Sequence, residues 1–179
     1  MTHLPDNSRQ FKLIVFNLEK PDNIGMLMRS AYALGCQELL VVGKPKIKVT
    51  GAQGTQQVLK RRHVPSLALA IECCREEGFS VIGLEIGGHS LPGFPFPQKV
   101  AFLLGNEGRG LGPSRQHCDV VLTIPQWGGV PSMNAAVAGS IAMYEFQRES
   151  TIPPAETRGE KYIDTFFNPD VDSKRNGGC

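Results

Sequence analysis

The residues best suited to chemistry in this 179-residue chain fall into three short constellations. The first is Pro21-Asp22-Asn23-Ile24-Gly25-Met26-Leu27-Met28-Arg29. Asn23 stands where a helix N-cap is expected, and Arg29 follows six residues later. At about 100° per residue, Arg29 falls off the apolar stripe of that helix. A guanidinium stays protonated, so Arg29 can hold a phosphate or stabilise developing negative charge, but it is a poor base. The second is Gly105-Asn106-Glu107-Gly108-Arg109-Gly110-Leu111-Gly112, with four glycines in eight residues. Such a loop lets backbone N–H groups approach a ligand closely. The third is Ile124-Pro125-Gln126-Trp127-Gly128-Gly129-Val130-Pro131-Ser132-Met133-Asn134, which leads into a helix. The amides at a helix start favour anionic or electron-rich groups. Ser132 suffices as the N-cap there, which leaves Asn134 poorly explained by helix formation alone.

These constellations need elements to position them. Short apolar runs at 11–17, 38–43, 80–86, 99–104 and 119–124 read as buried strands. Helical spacing marks 23–34, with Ile24, Leu27, Met28, Ala31 and Leu34 facing the core and Gly35 as the stop. It also marks 66–77, with Leu67, Ala70, Ile71 and Cys74 inward and Gly78 after the end. A third helix spans 132–147, with Met133, Ala136, Val137, Ile141 and Tyr144 on one stripe. The Gly- and Pro-rich stretch 87–98 reads as a loop. Strands alternating with helices, each strand a continuous apolar run, predict an α/β domain with a mainly parallel sheet flanked by helices. Such sheets bind ligands at the C-terminal ends of their strands, where the second and third constellations lie. One domain is expected over 1–149, with an extension at 150–179 anchored by Tyr162, Ile163, Phe166 and Phe167.

Composition narrows the class. With 41% hydrophobic and 20% charged residues, the chain can bury a core and is neither disordered nor fibrous. No apolar run reaches the roughly 20 residues of a membrane span, and the polar N-terminus does not read as a signal peptide. The five cysteines form no C-x-x-C pair, which fits a reducing, cytoplasmic compartment with no metal site. Net charge is only +2, yet residues 44–63 contain Lys44, Lys46, Lys48, Lys60, Arg61 and Arg62 with no acid. A concentrated basic stretch is the footprint of a phosphate-bearing partner. His63 beside it is a candidate proton acceptor. The glycine loop does not follow G-x-G-x-x-G order and follows the fourth strand rather than the first, which disfavours a nicotinamide-dependent dehydrogenase.

Taken together and in order, the constellations resemble the SpoU (TrmH-like) branch of the SPOUT RNA methyltransferases. The first matches the N-x-G-x-x-x-R motif through Asn23, Gly25 and Arg29. The second matches G-x-E-x-x-G-L through Gly105, Glu107, Gly110 and Leu111. The third matches I-P-x-x-G-x-x-x-S-L-N through Ile124, Pro125, Gly128, Ser132 and Asn134, with Met133 for leucine, a volume-conserving swap. The resemblance spans about residues 11–147. It implies the SPOUT fold, with a C-terminal trefoil knot despite the general rarity of knots. It implies S-adenosylmethionine as cofactor, held by Leu84, Gly105, Asn106, Glu107, Gly110, Ile124, Gln126, Ser132 and Met133. It implies methyl transfer to a ribose 2′-hydroxyl of RNA, tRNA favoured over rRNA, by a homodimer in which Arg29 reaches across the interface. Arg29, Asn23, Glu107, Ser132 and Asn134 would form the catalytic set. Lys44, Lys46, Lys48, Lys60, Arg61 and Arg62 would bind the RNA backbone. The competing expectation is a non-catalytic RNA-binding or assembly protein on the same fold.

Overall fold

The computed structural model describes residues 9–16, 18, 20–43 and 49–150. Its six strands are β1 (Gln10–Phe16), β2 (Glu38–Val42), β3 (Arg61–Val64), β4 (Ser80–Ser90), β5 (Lys99–Leu104) and β6 (Val120–Thr123). Its helices are α1 (Pro21–Ala33), α2 (Thr55–Val58), α3 (Leu67–Glu76) and α4 (Ala135–Arg148), with a 3-10 turn at Gly112–His117. The strands lie in the order β3-β2-β1-β5-β4-β6, and every neighbouring pair is parallel.

The alternation of side chains along each strand divides the core in two. Phe11, Leu13 and Val15 of β1 join Leu39, Val41, Val100, Phe102 and Leu104 on the face covered by α1 and α4. Ile14, Leu40, Val42, Ala101 and Leu103 point to the opposite face, against Ala70, Ile71 and Cys74 of α3. Phe11, Phe102 and Phe146 meet edge to face, with centroids 5.8–6.1 Å apart. On α1 the expected stripe is buried at Ile24, Leu27, Met28 and Ala31, while Leu34 is half-buried. Gly35, at φ +81°, follows the helix as its stop.

The structure departs from the expected elements at several points. Helix α1 starts two residues earlier than read, with Lys20 at the N-cap and Pro21 in the first turn, so Asn23 is not the cap. In α4 the N-cap is Asn134, whose side chain accepts from the Ala136 and Val137 amides, so Ser132 is not the cap. The buried face of α4 is Ala136, Gly139, Ala142, Met143 and Phe146, whereas Val137, Ile141 and Tyr144 of the expected stripe are exposed. This helix is apolar nearly all round, so periodicity does not choose a face. Close approach does: a Cβ at Gly139 would stand 2.8 Å from both Leu27 and Leu104 side-chain atoms. Strand β4 runs on to Ser90 into the expected loop, with a register break between Leu84 and His89. The basic stretch contains α2 and the edge strand β3, neither of which its polar sequence announces. Lys44, Lys46, Lys48 and the tail anchor lie outside the described residues.

A buried ionic cluster sits near the N-terminal ends of β1 and β2. Lys12 donates to Glu38 at 3.0 Å and to Glu77 at 2.5 Å, and the Lys12 and Glu38 side chains are only 4% and 2% exposed. Arg62 joins both carboxylates at 3.0 and 3.3 Å, and Lys60 reaches Glu38 at 3.3 Å. Burial opposes every charge here, but the contacts outweigh it. Burial alone would lift the Glu38 carboxyl, yet the Lys12 hydrogen bond and the Lys12 and Arg62 charges hold it below the ordinary range. The Lys12 hydrogen bond likewise lowers Glu77. Lys12 itself is raised, its bonds to Glu77 and Glu38 overcoming desolvation.

Depressed carboxyls stabilise the fold above their unfolded pKa of about 4.3 and lose that contribution as pH falls through the folded value. Raised Lys12 contributes below its unfolded pKa of about 10.4 and loses the contribution as pH rises through its folded value. Glu38→Gln strands Lys12 beside a neutral amide and is expected to cost about 3 kcal/mol in urea unfolding at pH 7. That deficit should hold steady between about pH 5 and 8 and shrink below about pH 4, as wild type loses the same carboxylate. A deficit that does not change down to pH 3 would contradict the ionic account.

Candidate active site

The C-terminal ends of β5, β4 and β6 surround a cleft of about 440 Å³. Leu84, Leu104, Leu122, Ile124, Met133 and Ala138 supply apolar surface. Polar groups come from the turn after β5 and from Gln126 and Ser132. All nine residues that the resemblance assigns to cofactor binding line this one cleft.

The turn after β5 is built by its own sequence. Asn106 and Gly110 exchange backbone hydrogen bonds of 2.9 and 2.8 Å. The Asn106 side-chain oxygen accepts from the Gly108 and Arg109 amides at 2.9 and 3.1 Å. Gly110 has φ +60°, where a side chain is strained. A Cβ at Gly105 would lie 2.1 Å from the Gly110 carbonyl oxygen, so the turn can fold back only over a glycine.

Side chains from all three constellations meet at the cleft rim. Asn23 is buried, 4% exposed, and its Nδ2 donates to Glu107 Oε1 at 3.1 Å. The Lys20 amide donates to the same oxygen at 3.2 Å. Asn134 Nδ2 donates to Asn23 Oδ1 at 2.8 Å, while Asn134 Oδ1 caps α4. One chain of amide and carboxylate groups therefore ties the start of α1, the glycine turn and the start of α4. Gly25 lets the segment after β2 reach the same place, because a Cβ there would stand 1.6 Å from the Thr50 carbonyl oxygen. Thr50 is held by the Pro21 carbonyl and the Asp22 carboxylate.

Arg29 is not among the residues lining the cleft; it lies on the exposed side of α1, two turns beyond Asn23. Lys60, Arg61 and Arg62 lie at the start of β3, on the far edge of the sheet and at the end opposite the cleft. Lys60 and Arg62 pair with Glu38, and Arg62 also with Glu77. His63 is bonded to the Gly43 carbonyl.

One cleft residue escaped the sequence reading. Glu85, in the register break of β4 just after Leu84, accepts from the Leu111 amide at 2.8 Å and from the Ile86 amide at 2.9 Å. Its only sequence signal was a lone acid closing an apolar strand. Beside the cleft, Leu91, Trp127, Val130, Met133 and Ile141 line a second, apolar groove of about 500 Å³. Trp127 in it is 93% exposed.

A fully parallel sheet with an apolar-floored cleft at its strand ends, closed by a glycine turn, defines an α/β domain built to hold a nucleoside-sized ligand. A family model described as the SpoU rRNA Methylase family matches residues 10–144, and the chain belongs to that family. The 23S rRNA (guanosine-2′-O-)-methyltransferase RlmB of Neisseria meningitidis is 31% identical over 150 residues, which cover 78% of this chain and 59% of RlmB. The SpoU methyltransferase AviRb of Streptomyces viridochromogenes, solved in complex with the cofactor AdoMet, superposes with a TM-score of 0.71 at 31% identity. That match covers 80% of this chain and 59% of AviRb. A structure described in terms of 2-OH methylation of C/U34 on tRNA matches with a TM-score of 0.70 at 29% identity, over 78% of this chain and 95% of its own. The chain spans about two to three fifths of the length of the curated relatives it matches.

The hydrogen-bonded chain at the rim makes a thermodynamic prediction. Asn23→Ala and Asn134→Ala should each lower stability by about 1–3 kcal/mol, from a lost buried hydrogen bond and, for Asn134, a lost cap. The double variant should fall short of additivity by about 0.5 kcal/mol or more. Strict additivity in urea unfolding would mean that the two amides do not act together.

Proposed function

We infer that this chain is an S-adenosylmethionine-dependent methyltransferase acting on a ribose 2′-hydroxyl of RNA, with tRNA as the substrate. The carrying observation is the meeting of the three constellations at one cleft, through the bonds Glu107–Asn23–Asn134. The cleft fits the cofactor. Its volume suits a nucleoside with a short amino-acid arm, its floor is apolar where an adenine needs burial, and Glu107 offers a carboxylate near the bound cation. When bound, S-adenosylmethionine supplies a methyl group on a positively charged sulfur. Leu84, Ile124 and Met133 hold the base, and the 105–110 turn presents backbone polar groups. Ser132 lies at the cleft mouth, where its hydroxyl can orient the incoming ribose. Asn134 and Glu107 position the rim through Asn23 and do not move protons themselves. The trefoil crossing of the family belongs to this same reading.

An alcohol needs activation before it attacks. Arg29 supports the developing alkoxide and the neighbouring phosphate by charge, while the proton leaves to that phosphate or to water. Since Arg29 does not line the cleft of its own chain, it serves the cleft of a second copy. Support for a homodimer comes from the exposed apolar residues Trp127, Val130, Val137, Ile141 and Tyr144, which line one side of the molecule or sit on the outward face of α4. Support for tRNA comes from the structural relative described for tRNA and matched over 95% of its length. RNA contact falls to the basic stretch, Lys44, Lys46, Lys48, Lys60, Arg61 and Arg62, with Lys60 and Arg62 shared with Glu38.

The test is calorimetric titration with S-adenosylhomocysteine, NAD serving as control, followed by labelled methyl transfer into tRNA and into ribosomal RNA. Wild type should bind S-adenosylhomocysteine at about one per chain and label tRNA. Arg29→Ala should bind it equally but turn over at least about 100-fold more slowly. Retained turnover in Arg29→Ala, or label confined to ribosomal RNA, would sink the corresponding part of the reading. A chain that binds RNA but neither ligand nor methyl donor would be a binding module on the same fold.

For the dimer, Ile141→Asp and Tyr144→Asp should each move the mass by light scattering from two chains towards one, because a buried charge at an apolar interface is costly. An unchanged dimer in both variants would place the interface elsewhere.

A further inference from the structure

Glu85 is held with unusual thoroughness for a residue in a register break, where β4 loses its regular pairing with β6 after Leu84. Its two carboxylate oxygens each accept one backbone amide, from Leu111 at 2.8 Å and from Ile86 at 2.9 Å. Its own carbonyl accepts from the Thr123 hydroxyl of β6 at 2.7 Å, and that hydroxyl in turn accepts from the Gly88 amide at 2.6 Å. Arg115 then clasps the next two carbonyls, of Ile86 and Gly87, at 3.0 and 2.6 Å. Even the turn opposite is shaped around it: a Cβ at Gly110 would lie 1.8 Å from Glu85 Oε2. The side chain is half-buried and lines the cleft next to Leu84.

A carboxylate has about four acceptor sites, and two backbone amides leave about two. A vicinal diol carries two O–H donors and is a natural complement to such a fixed carboxylate. Open parallel sheets use an acid at the ligand-binding edge to accept from a ribose hydroxyl, and Glu85 holds such a place where the regular β4–β6 pairing stops after Leu84. We propose that Glu85 is the ribose-recognising residue of the cleft, accepting the hydroxyls of the cofactor's adenosine while its amide bonds hold the glycine turn in place. The assignment rests on the S-adenosylmethionine reading above. It adds a specificity role that none of the three constellations carries. Because the backbone around Glu85 is pinned by Thr123 and Arg115, the carboxylate needs no rearrangement to accept the diol.

The test compares S-adenosylhomocysteine with its 2′,3′-dideoxy analogue by calorimetry, on wild type and on Glu85→Gln. The glutamine keeps the side chain's length and an acceptor for the Leu111 amide, and unchanged thermal unfolding without ligand checks that the fold survives. Wild type should prefer S-adenosylhomocysteine to the analogue by about tenfold or more, since a charged acceptor would otherwise lose its partners. Glu85→Gln should weaken S-adenosylhomocysteine by a similar factor, leave the analogue nearly unchanged and so erase most of the preference. If Glu85 only braces the turn, both ligands weaken equally and the assignment is overturned. If the substitution weakens S-adenosylmethionine but not S-adenosylhomocysteine, Glu85 reads the sulfur's charge and the diol assignment is likewise overturned. Wild type that binds neither S-adenosylhomocysteine nor S-adenosylmethionine would overturn the cofactor reading itself, a result distinct from binding without discrimination. If Glu85→Gln unfolds early, Thr123→Val supplies the second variant. It loosens the Glu85 backbone without touching the carboxylate and should reduce the same preference partially, whereas an unaltered preference would count against the pinned-carboxylate account.

Discussion

The site depends on one buried asparagine that is used at both ends. Asn23 donates to Glu107 and accepts from Asn134, so a single planar amide joins the start of α1, the turn after β5 and the start of α4. An amide is the right group for this, because it offers a donor and an acceptor on one rigid plane. An aspartate would offer only acceptors at neutral pH and would face Glu107 with like charge; a leucine would leave both partners unsatisfied in a site with little water access. With the amide in place, each segment is fixed relative to the other two.

The sheet sets where that meeting can occur. Parallel strands deliver all their C-terminal ends to one side, so the turns after β4, β5 and β6 converge there. The space between them is narrow, and glycine makes the close approaches possible. At Gly105 the turn folds back onto the strand end, and at Gly25 the segment after β2 crosses the helix. Gly139 serves the same purpose one layer away by letting α4 settle against Leu27 and Leu104, which fixes the height of Asn134 over the cleft.

The opposite end of the sheet has a different physics. There Lys12, Glu38, Glu77, Arg62 and Lys60 form an ionic cluster that joins β1, β2 and the ends of α3 and β3. Two of the six cations of that basic stretch, Lys60 and Arg62, are thereby paired within the fold. Charge along a sequence and charge on a surface are different quantities, because a parallel edge strand can bring basic side chains onto acids from strands far away in the chain.

Much of this was legible in the sequence. The five most apolar runs became strands because each is a continuous apolar segment, and β1, β2 and β5 are buried on both faces. The three constellations identified the family and placed all nine of the expected cofactor residues on one cleft. Local rules could do this because strand ends and glycine turns are local features. They could not decide which residue caps α4, since Ser132 and Asn134 are equally good caps by type. They could not choose the buried face of a helix apolar on both sides, as Val137, Ile141 and Tyr144 show. Nor could they find the role of Glu85 or the pairing of Asn23 with groups 84 and 111 residues away. Those outcomes depend on which backbone comes within hydrogen-bonding reach after the sheet has assembled, and only the tertiary structure contains those distances.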